Sequence, residues 1–136
     1  MPKNRKIRVG INGFGRIGRN ALKAALERPE LMNRLEFVCV NDLMDAATLV
    51  HMLTYDTVFR KANHKISAKG NSLVIDGMTI AVVAEKDPAM LPWGKMQIDV
   101  VLECTGRFTK KEDSCYILFR NRERESGLTI FTILIF

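Results

Sequence analysis

The sequence predicts an α/β fold organised around a mainly parallel β-sheet with an antiparallel excursion. Residues 5–40 read as a strand, a glycine-rich turn, a helix and a second strand, within about 35 residues, the size of a minimal βαβ unit. Such a unit implies a right-handed crossover between parallel strands. Further along, Asp76-Gly77 separates two apolar runs in "NSLVIDGMTIAVVAE", which is the short-range signal of an antiparallel hairpin.

The first unit is predicted element by element from the spacing of its apolar residues. Residues 5–11 alternate polar and apolar before Asn12-Gly13 and are expected to form a strand. Residues 16–28 are expected to form a helix that Pro29 closes, and residues 35–40 a second strand. The apolar positions of the helix fall at helical spacing: Ile17, Ala21, Leu22, Ala25 and Leu26.

The later elements are predicted in the same way. Residues 45–53 indicate a short helix with Asp45 as its cap, and residues 98–106, "IDVVLECTG", indicate a buried strand that ends in a turn. Residues 111–125 are compatible with a charged helix. The last nine residues, "LTIFTILIF", carry no charge and predict a strand, which either occupies a position in the sheet or is an aggregation-prone segment.

Composition limits the classes of function. A chain of 136 residues with 47% hydrophobic residues is long enough for one ordinary core. The net charge of +6 comes from Lys and Arg spread along the whole chain, which favours a solvated surface over a nucleic-acid or membrane partner. The three cysteines form no CxxC pair, so we expect no metal site and no disulfide framework, and a cytoplasmic location. No apolar run approaches the roughly 20 residues that span a bilayer.

The glycine turn carries the chemistry. Gly13-Phe14-Gly15-Arg16-Ile17-Gly18 is a GxGxxG sequence with a predicted strand before it and a predicted helix after it. The first glycine permits the tight turn, the second removes a Cβ that would block a pyrophosphate, and the third lets the helix pack closely on the strand. The free N–H groups at the start of the helix then face the phosphates. This context predicts a Rossmann-type dinucleotide-binding domain.

A dinucleotide site also requires a carboxylate that binds the adenosine ribose at the end of the second strand. Glu36 and Asp42 are the two candidates. Glu36 begins the strand, whereas ligands of open α/β sheets bind beyond the carboxyl ends of strands, so we assign the role to Asp42. A carboxylate there would repel a 2′-phosphate, which favours NAD over NADP.

Four ordered stretches resemble the amino-terminal, cofactor-binding half of glyceraldehyde-3-phosphate dehydrogenase. They are "VGINGFGRIGR", "VNDLMDAATLVHMLTYDTV", "AEKDPAMLPWG" and "DVVLECTGRFTKKED", and the resemblance covers residues 5–113. It implies NAD as cofactor, contacts to the pyrophosphate region from the backbone and side chains of Arg16 and Ile17, and ribose binding by Asp42. It also implies an adenine-side position for Lys86, and a cofactor-pocket wall that includes Thr105 and Phe108. Members of the family form homo-oligomers, but the state of this chain stays open.

After Asp113 the chain departs from the family pattern. The relatives continue to a segment that bears the nucleophilic cysteine and, later, a catalytic histidine, whereas this chain reads "SCYILFRNRERESGLTIFTILIF". We therefore divide the chain into an NAD-binding domain at 1–113 and a divergent tail at 114–136. We expect an incomplete sheet, no catalytic residues, and no activity from this chain alone.

Three hypotheses for the function follow. The first is a dehydrogenase of this family in a truncated or frame-disrupted chain whose cofactor half is intact. The second is a non-catalytic dinucleotide-binding module. A nucleic-acid-binding protein is the weakest reading, because it rests on charge alone.

Overall fold

The computed structural model describes residues 5–56, 64–87, 90–106 and 131–134. Within these residues the chain forms seven strands and three helices. In chain order they are β1 (Ile7–Asn12), α1 (Arg16–Leu26), α2 (Pro29–Met32), β2 (Leu35–Asn41), α3 (Ala46–Tyr55), β3 (Ile66–Lys69), β4 (Ser72–Ile75), β5 (Met78–Val83), β6 (Val100–Glu103) and β7 (Phe131–Leu134). Phe108, Cys115 and the predicted helix at 111–125 lie outside the described residues.

All seven strands belong to one mixed sheet. Their order is β3-β4-β5-β2-β1-β6-β7. The pairs from β5 through β2, β1 and β6 to β7 are parallel, and β3, β4 and β5 pair antiparallel. The predicted α/β Rossmann-type fold, mainly parallel with an antiparallel excursion, is confirmed.

The β1-α1-β2 unit has its predicted elements, and it differs from the prediction in the segment between the end of α1 and the start of β2. Helix α1 ends at Leu26, two residues before the predicted end at residue 28, and Pro29 does not close it but is the first residue of the short helix α2. Proline suits this position because its missing N–H would have no partner in the first turn of a helix and its φ is already helical. The turn from α1 to β2 therefore contains an additional helical turn that apolar periodicity alone did not indicate.

Two apolar clusters pack against the sheet. The larger joins α1 and α3 to the strands and contains Ile11, Phe14, Leu22 and Leu49, all fully buried. The smaller is centred on Trp93, which packs where a Cβ on Gly10 would approach its ring to 2.8 Å. Because successive residues of a strand point to opposite faces, Gly10 and Ile11 place the two clusters on opposite sides of the sheet. Trp93 is therefore a packing residue, as predicted.

The hairpin between β4 and β5 turns at Asp76 and Gly77, as the sequence predicted. Both residues have positive φ, 50° and 83°. This combination is the one that two-residue hairpin turns of type I′ require. The Asp76 carboxylate accepts the backbone N–H of Lys65 at 2.9 Å and lies 2.5 Å from Nδ1 of His64, which ties the turn to the start of β3.

The tail contributes the last strand of the sheet. Residues of β7 pair in parallel with β6, from Val100 opposite Phe131 to Glu103 opposite Leu134. The sequence left two roles open for the last nine residues, a position in the sheet or an aggregation-prone segment. Residues 131–134 take a position in the sheet.

Candidate functional site

A cleft of about 380 Å³ lies at the carboxyl ends of the parallel strands. Its walls come from the glycine turn after β1, the loop after β2, the loop after β5 and the turn after β6. This is the edge of an open α/β sheet where ligands bind. The fold thus brings four sequence-distant loops to one place.

The three glycines of the turn have different surroundings. Gly13 has φ +90°, and a Cβ there would lie 2.8 Å from the backbone of Thr105. A Cβ on Gly18 would lie 2.3 Å from the carbonyl oxygen of Gly13, so this glycine lets α1 approach the turn. A Cβ on Gly15 would meet no atom within 4 Å, although Gly15 lines the cleft. The first and third glycines are therefore required by the protein itself, and the second leaves room for a ligand.

The amino terminus of α1 suits an anion. Its N-cap residue is Gly15, no side chain caps it, and its first turn contains no acidic residue. The N–H groups at a helix start and the positive end of its dipole favour negative charge. A phosphate at this position would supply the acceptors that a capping side chain supplies in other helices.

Asp42 lies between the glycine turn and the loop after β2. One carboxylate oxygen accepts the backbone N–H of Phe14 at 2.9 Å, and the other accepts the N–H of Met44 at 3.0 Å. Helix α3 is capped by Asp45, whose carboxylate accepts the N–H of Thr48 at 2.8 Å. The carboxylate of Asp42 is therefore not needed as a helix cap and lines the cleft instead.

Glu36, the other carboxylate considered for the ribose, lies elsewhere. It belongs to the amino end of β2 and pairs with the guanidinium of Arg8 at 3.1 Å. It does not line the cleft. The choice of Asp42 from strand direction agrees with this placement.

The remaining predicted residues fall into three groups. Lys86, which is exposed, and Thr105 line the cleft. Arg16 and Ile17 begin α1, but Arg16 is exposed and Ile17 packs against the larger core cluster, so neither side chain lines the cleft. Their backbone N–H groups lie in the first turn of α1. Phe108 lies outside the described residues.

A row of polar side chains crosses the floor of the cleft. We call these four residues, Asn41, Asn12, Glu103 and Thr105, the polar seam. The Asn41 amide donates to Asn12 Oδ1, the Asn12 amide donates to Glu103 Oε2, and the Thr105 hydroxyl donates to Glu103 Oε1, at 2.8, 2.8 and 2.7 Å. The first three side chains are buried, with exposures of 7, 2 and 3%. Their hydrogen bonds offset the cost of burying polar groups here.

Sequence reasoning missed the polar seam. A usable signal was present, because Asn12, Asn41 and Glu103 each occupy the last position of a parallel strand. Parallel strands end at the same edge of a sheet, so polar residues at those positions meet. Only the strand order, which the sequence did not specify, makes them neighbours.

The thiols near the site are buried. Burial raises the pKa of Cys39 to about 12, and burial together with the negative charge of Glu103 raises the pKa of Cys104 to about 11. Cys104 follows the last residue of β6 rather than lying inside the strand, and it lines the cleft. A nucleophilic cysteine needs a lowered pKa, so neither thiol has the properties of one.

A cluster of three charged side chains links α1 to Asp56. Arg19 and Lys23 of α1 are 8 and 5% exposed, and both contact the carboxylate of Asp56, at 2.9 and 2.8 Å. Arg19 also donates to the carbonyl oxygen of Phe14 in the glycine turn. Burial by itself raises the pKa of Asp56, but hydrogen bonds and charges from Lys23 and Arg19 outweigh it and hold that pKa below its usual range.

Comparison with known families agrees with this geometry. The family model described as the NAD-binding domain of glyceraldehyde 3-phosphate dehydrogenase matches residues 7–111. The chain belongs to this family. Residues 7–111 include every strand that borders the cleft, so the NAD-binding domain and the observed site coincide.

Relatives of this NAD-binding domain are glyceraldehyde-3-phosphate dehydrogenases from bacteria. The chain is 53% identical over 108 residues to the protein of Geobacillus stearothermophilus and 54% identical over 108 residues to dehydrogenase 1 of Bacillus subtilis. It is 52% identical over 105 residues to the protein of Clostridium pasteurianum. The matches cover 79, 79 and 77% of this chain but only 31, 31 and 30% of the relatives.

The residues that the structure describes hold neither a metal centre nor a membrane-spanning helix. Among those residues no group of His, Cys, Asp and Glu side chains could hold a metal ion. The same residues include no helix of the length and apolar character needed to cross a bilayer.

Proposed function

We propose that this chain binds NAD in the cleft at the carboxyl ends of β5, β2, β1 and β6, with the pyrophosphate at the start of α1 and the adenosine ribose at Asp42. The observation that carries the proposal is the convergence of three features on one cleft. They are the open space over Gly15, the uncapped start of α1 and the Asp42 carboxylate.

The residues fit the cofactor chemically. A diphosphate needs backbone donors and a close approach to the main chain, which Gly15 and the N–H groups of Arg16 and Ile17 supply. Ribose hydroxyls need an acceptor, which Asp42 supplies. Its carboxylate is held by two backbone N–H groups and is therefore oriented by the protein.

The same carboxylate supports a preference for NAD over NADP. An ionised Asp42 attracts hydroxyl donors and repels a 2′-phosphate, and Leu43 beside it offers no cation. Lys86 is a cation that lines the cleft. In this proposal it lies on the adenine side of the cofactor. We expect discrimination between the cofactors to depend on Asp42.

Bound NAD supplies the hydride acceptor of a dehydrogenase; the residues described here bind and orient it. We infer that the chain represents the cofactor half of a cytoplasmic glyceraldehyde-3-phosphate dehydrogenase-like oxidoreductase of glycolysis. A non-catalytic dinucleotide-binding module is the second candidate, because the cleft alone is sufficient for it. An assay of NADH formation from glyceraldehyde 3-phosphate and phosphate separates them, because only the first predicts activity once a catalytic half is supplied.

The direct test is titration calorimetry of NAD and NADP against the chain and its Asp42→Ala variant. Loss of a charge-assisted hydrogen bond, worth about 1.5–3 kcal/mol, should weaken NAD binding roughly 10- to 150-fold and narrow the gap to NADP. Glu36→Ala is the matched control, because it removes a carboxylate from the other end of β2, and should leave NAD affinity unchanged. Equal affinity of the unmutated chain for both cofactors would refute the assignment.

A further inference from the structure

We propose that Glu103 is a positioning residue of the cofactor cleft. It accepts the hydrogen bonds at the far end of the polar seam and thereby keeps the Glu85–Lys86 segment, three strands away, in place. The proposal rests on the proposed function for its meaning, because Lys86 lines the cleft assigned to NAD. The placement itself is a property of the protein that can be measured without a ligand.

The direction of the seam is set at the Glu85 end. The backbone N–H of Glu85 donates to Asn41 Oδ1 at 2.8 Å, and the carbonyl oxygen of Glu85 accepts from Asn41 Nδ2 at 3.0 Å. A backbone N–H only donates and a carbonyl only accepts. The Asn41 amide therefore has one possible orientation, since turning it over would lose both bonds.

The orientation of the Asn41 amide determines the orientation of the next side chain in the seam. Asn41 Nδ2 must donate to Asn12, so Asn12 presents Oδ1 to it and points Nδ2 at Glu103. From the other side, the N–H and hydroxyl of Thr105 both donate to Glu103 Oε1, at 3.2 and 2.7 Å. The donors of Asn12 and Thr105 all end on Glu103, and a carboxylate is the side chain that accepts at both oxygens.

Glu103→Gln replaces one of the two accepting oxygens by an NH₂ donor and so creates a conflict in the seam. While the Gln oxygen keeps both bonds from Thr105, its NH₂ group faces the NH₂ group of Asn12. If Asn12 turns over, its NH₂ group faces that of Asn41, which Glu85 prevents from turning. The unfavourable contact between two NH₂ groups therefore moves to Asn12 and Asn41, and it disturbs the loop that Asn41 holds. Glu103 ends β6 and Glu85 follows β5, the two outer strands of the row β5-β2-β1-β6. At the usual strand spacing these two strands are about 14 Å apart.

The first test is nuclear magnetic resonance of the ¹⁵N-labelled full chain and its Glu103→Gln variant. We expect the side-chain amide of Asn41 and the backbone amide of Glu85 to shift. Asp99→Asn is the matched control, because Asp99 is equally buried, accepts from Arg5 and Arg8 at the other end of β6, and lies outside the seam. Shifts of Thr105 alone, with Asn41 and Glu85 as in the control, would overturn the proposal. Should Glu103→Gln not fold, Glu103→Asp, which shortens the side chain and withdraws it from Asn12, gives the same readout.

The second test connects the seam to the cofactor. In a double-mutant cycle of Glu103→Gln and Lys86→Met, measured as NAD affinity, the two changes should be non-additive by at least about twofold, since Lys86 is held through Glu103. Additive effects would contradict the proposed action on Lys86. Absence of NAD binding by the unmutated chain would refute the proposed function instead, and the resonance test would still decide the role of Glu103.

Discussion

Gly18 lies so close to Gly13 that a Cβ on Gly18 would be 2.3 Å from the Gly13 carbonyl oxygen. Helix α1 can begin at the turn only because this position has no side chain. We expect Gly18→Ala to force the helix away from the turn and to destabilise the fold by about 1–3 kcal/mol or more, as overpacking does. The midpoint of urea unfolding measures this loss.

Gly15→Ala is the matched counterpart, in the same turn. Gly15 has φ −76° and open space around a built Cβ, so alanine fits the free protein and should change its stability by less than about 1 kcal/mol. NAD affinity should nevertheless fall about tenfold or more, because the methyl group occupies the approach of the pyrophosphate. Unchanged affinity in a folded Gly15→Ala variant would place the pyrophosphate elsewhere.

The acidic limit of stability should depend on Asp56. Its pKa is lowered below the usual range, so its contribution to stability is present above the unfolded-state pKa of about 4 and is lost as the pH falls below that value. We expect Asp56→Asn to destabilise the chain by on the order of 3 kcal/mol at pH 7, because it leaves the buried charges of Arg19 and Lys23 without this carboxylate. The difference between the two proteins should shrink towards pH 3 in chemical unfolding, whereas a constant difference would contradict the assignment.

The alkaline limit should depend on the two buried thiols. Burial raises the pKa values of Cys39 and Cys104 to about 12 and about 11 in the folded chain, above the ordinary thiol value of 9.0. Below pH 9 each thiol is protonated in both the folded and the unfolded chain, so its contribution to stability does not change with pH. Above it the unfolded chain releases the proton first, so stability should fall by about 1.4 kcal/mol per pH unit for each thiol. A Cys39→Ala, Cys104→Ala double variant should show a shallower decline between pH 9 and 10, and an identical slope would show that other groups are responsible.

Deleting residues 128–136 tests the role of the tail. Strand β7 pairs with β6 over four residues, so we expect the deletion to lower the free energy of unfolding by about 2 kcal/mol or more and to uncover the edge of β6. Urea unfolding combined with light scattering measures both effects. A shortened chain of equal stability and higher solubility would instead make these residues an aggregation-prone segment.

The parts of the molecule that the sequence predicted are those determined by local chemistry. Glycine spacing specified the turn, strand direction selected Asp42 over Glu36, and Asp76-Gly77 specified the hairpin. Local rules failed where a residue type has two uses, as at Pro29, which was expected to close the first helix but begins α2.

The polar seam could not be predicted, because its members become neighbours only through the order of the strands. Asn12, Asn41 and Glu103 are far apart in the sequence and meet because β1 lies between β2 and β6. Arg16 and Ile17 illustrate the same limit, since the family resemblance implied contacts from both backbone and side chain, whereas neither side chain lines the cleft. Position of the tail strand likewise depended on long-range pairing.

The hairpin turn at Asp76 and Gly77 offers an attachment point for a reporter group. It lies at the amino end of β5, whereas the cleft lies beyond the carboxyl end of the same strand, six residues away. At about 3.3 Å per residue the turn and the cleft are roughly 20 Å apart. A fluorophore attached through Gly77→Cys, where a Cβ meets no atom within 4 Å, would therefore be close enough to detect the fluorescent reduced cofactor, NADH, by energy transfer and too far to obstruct it.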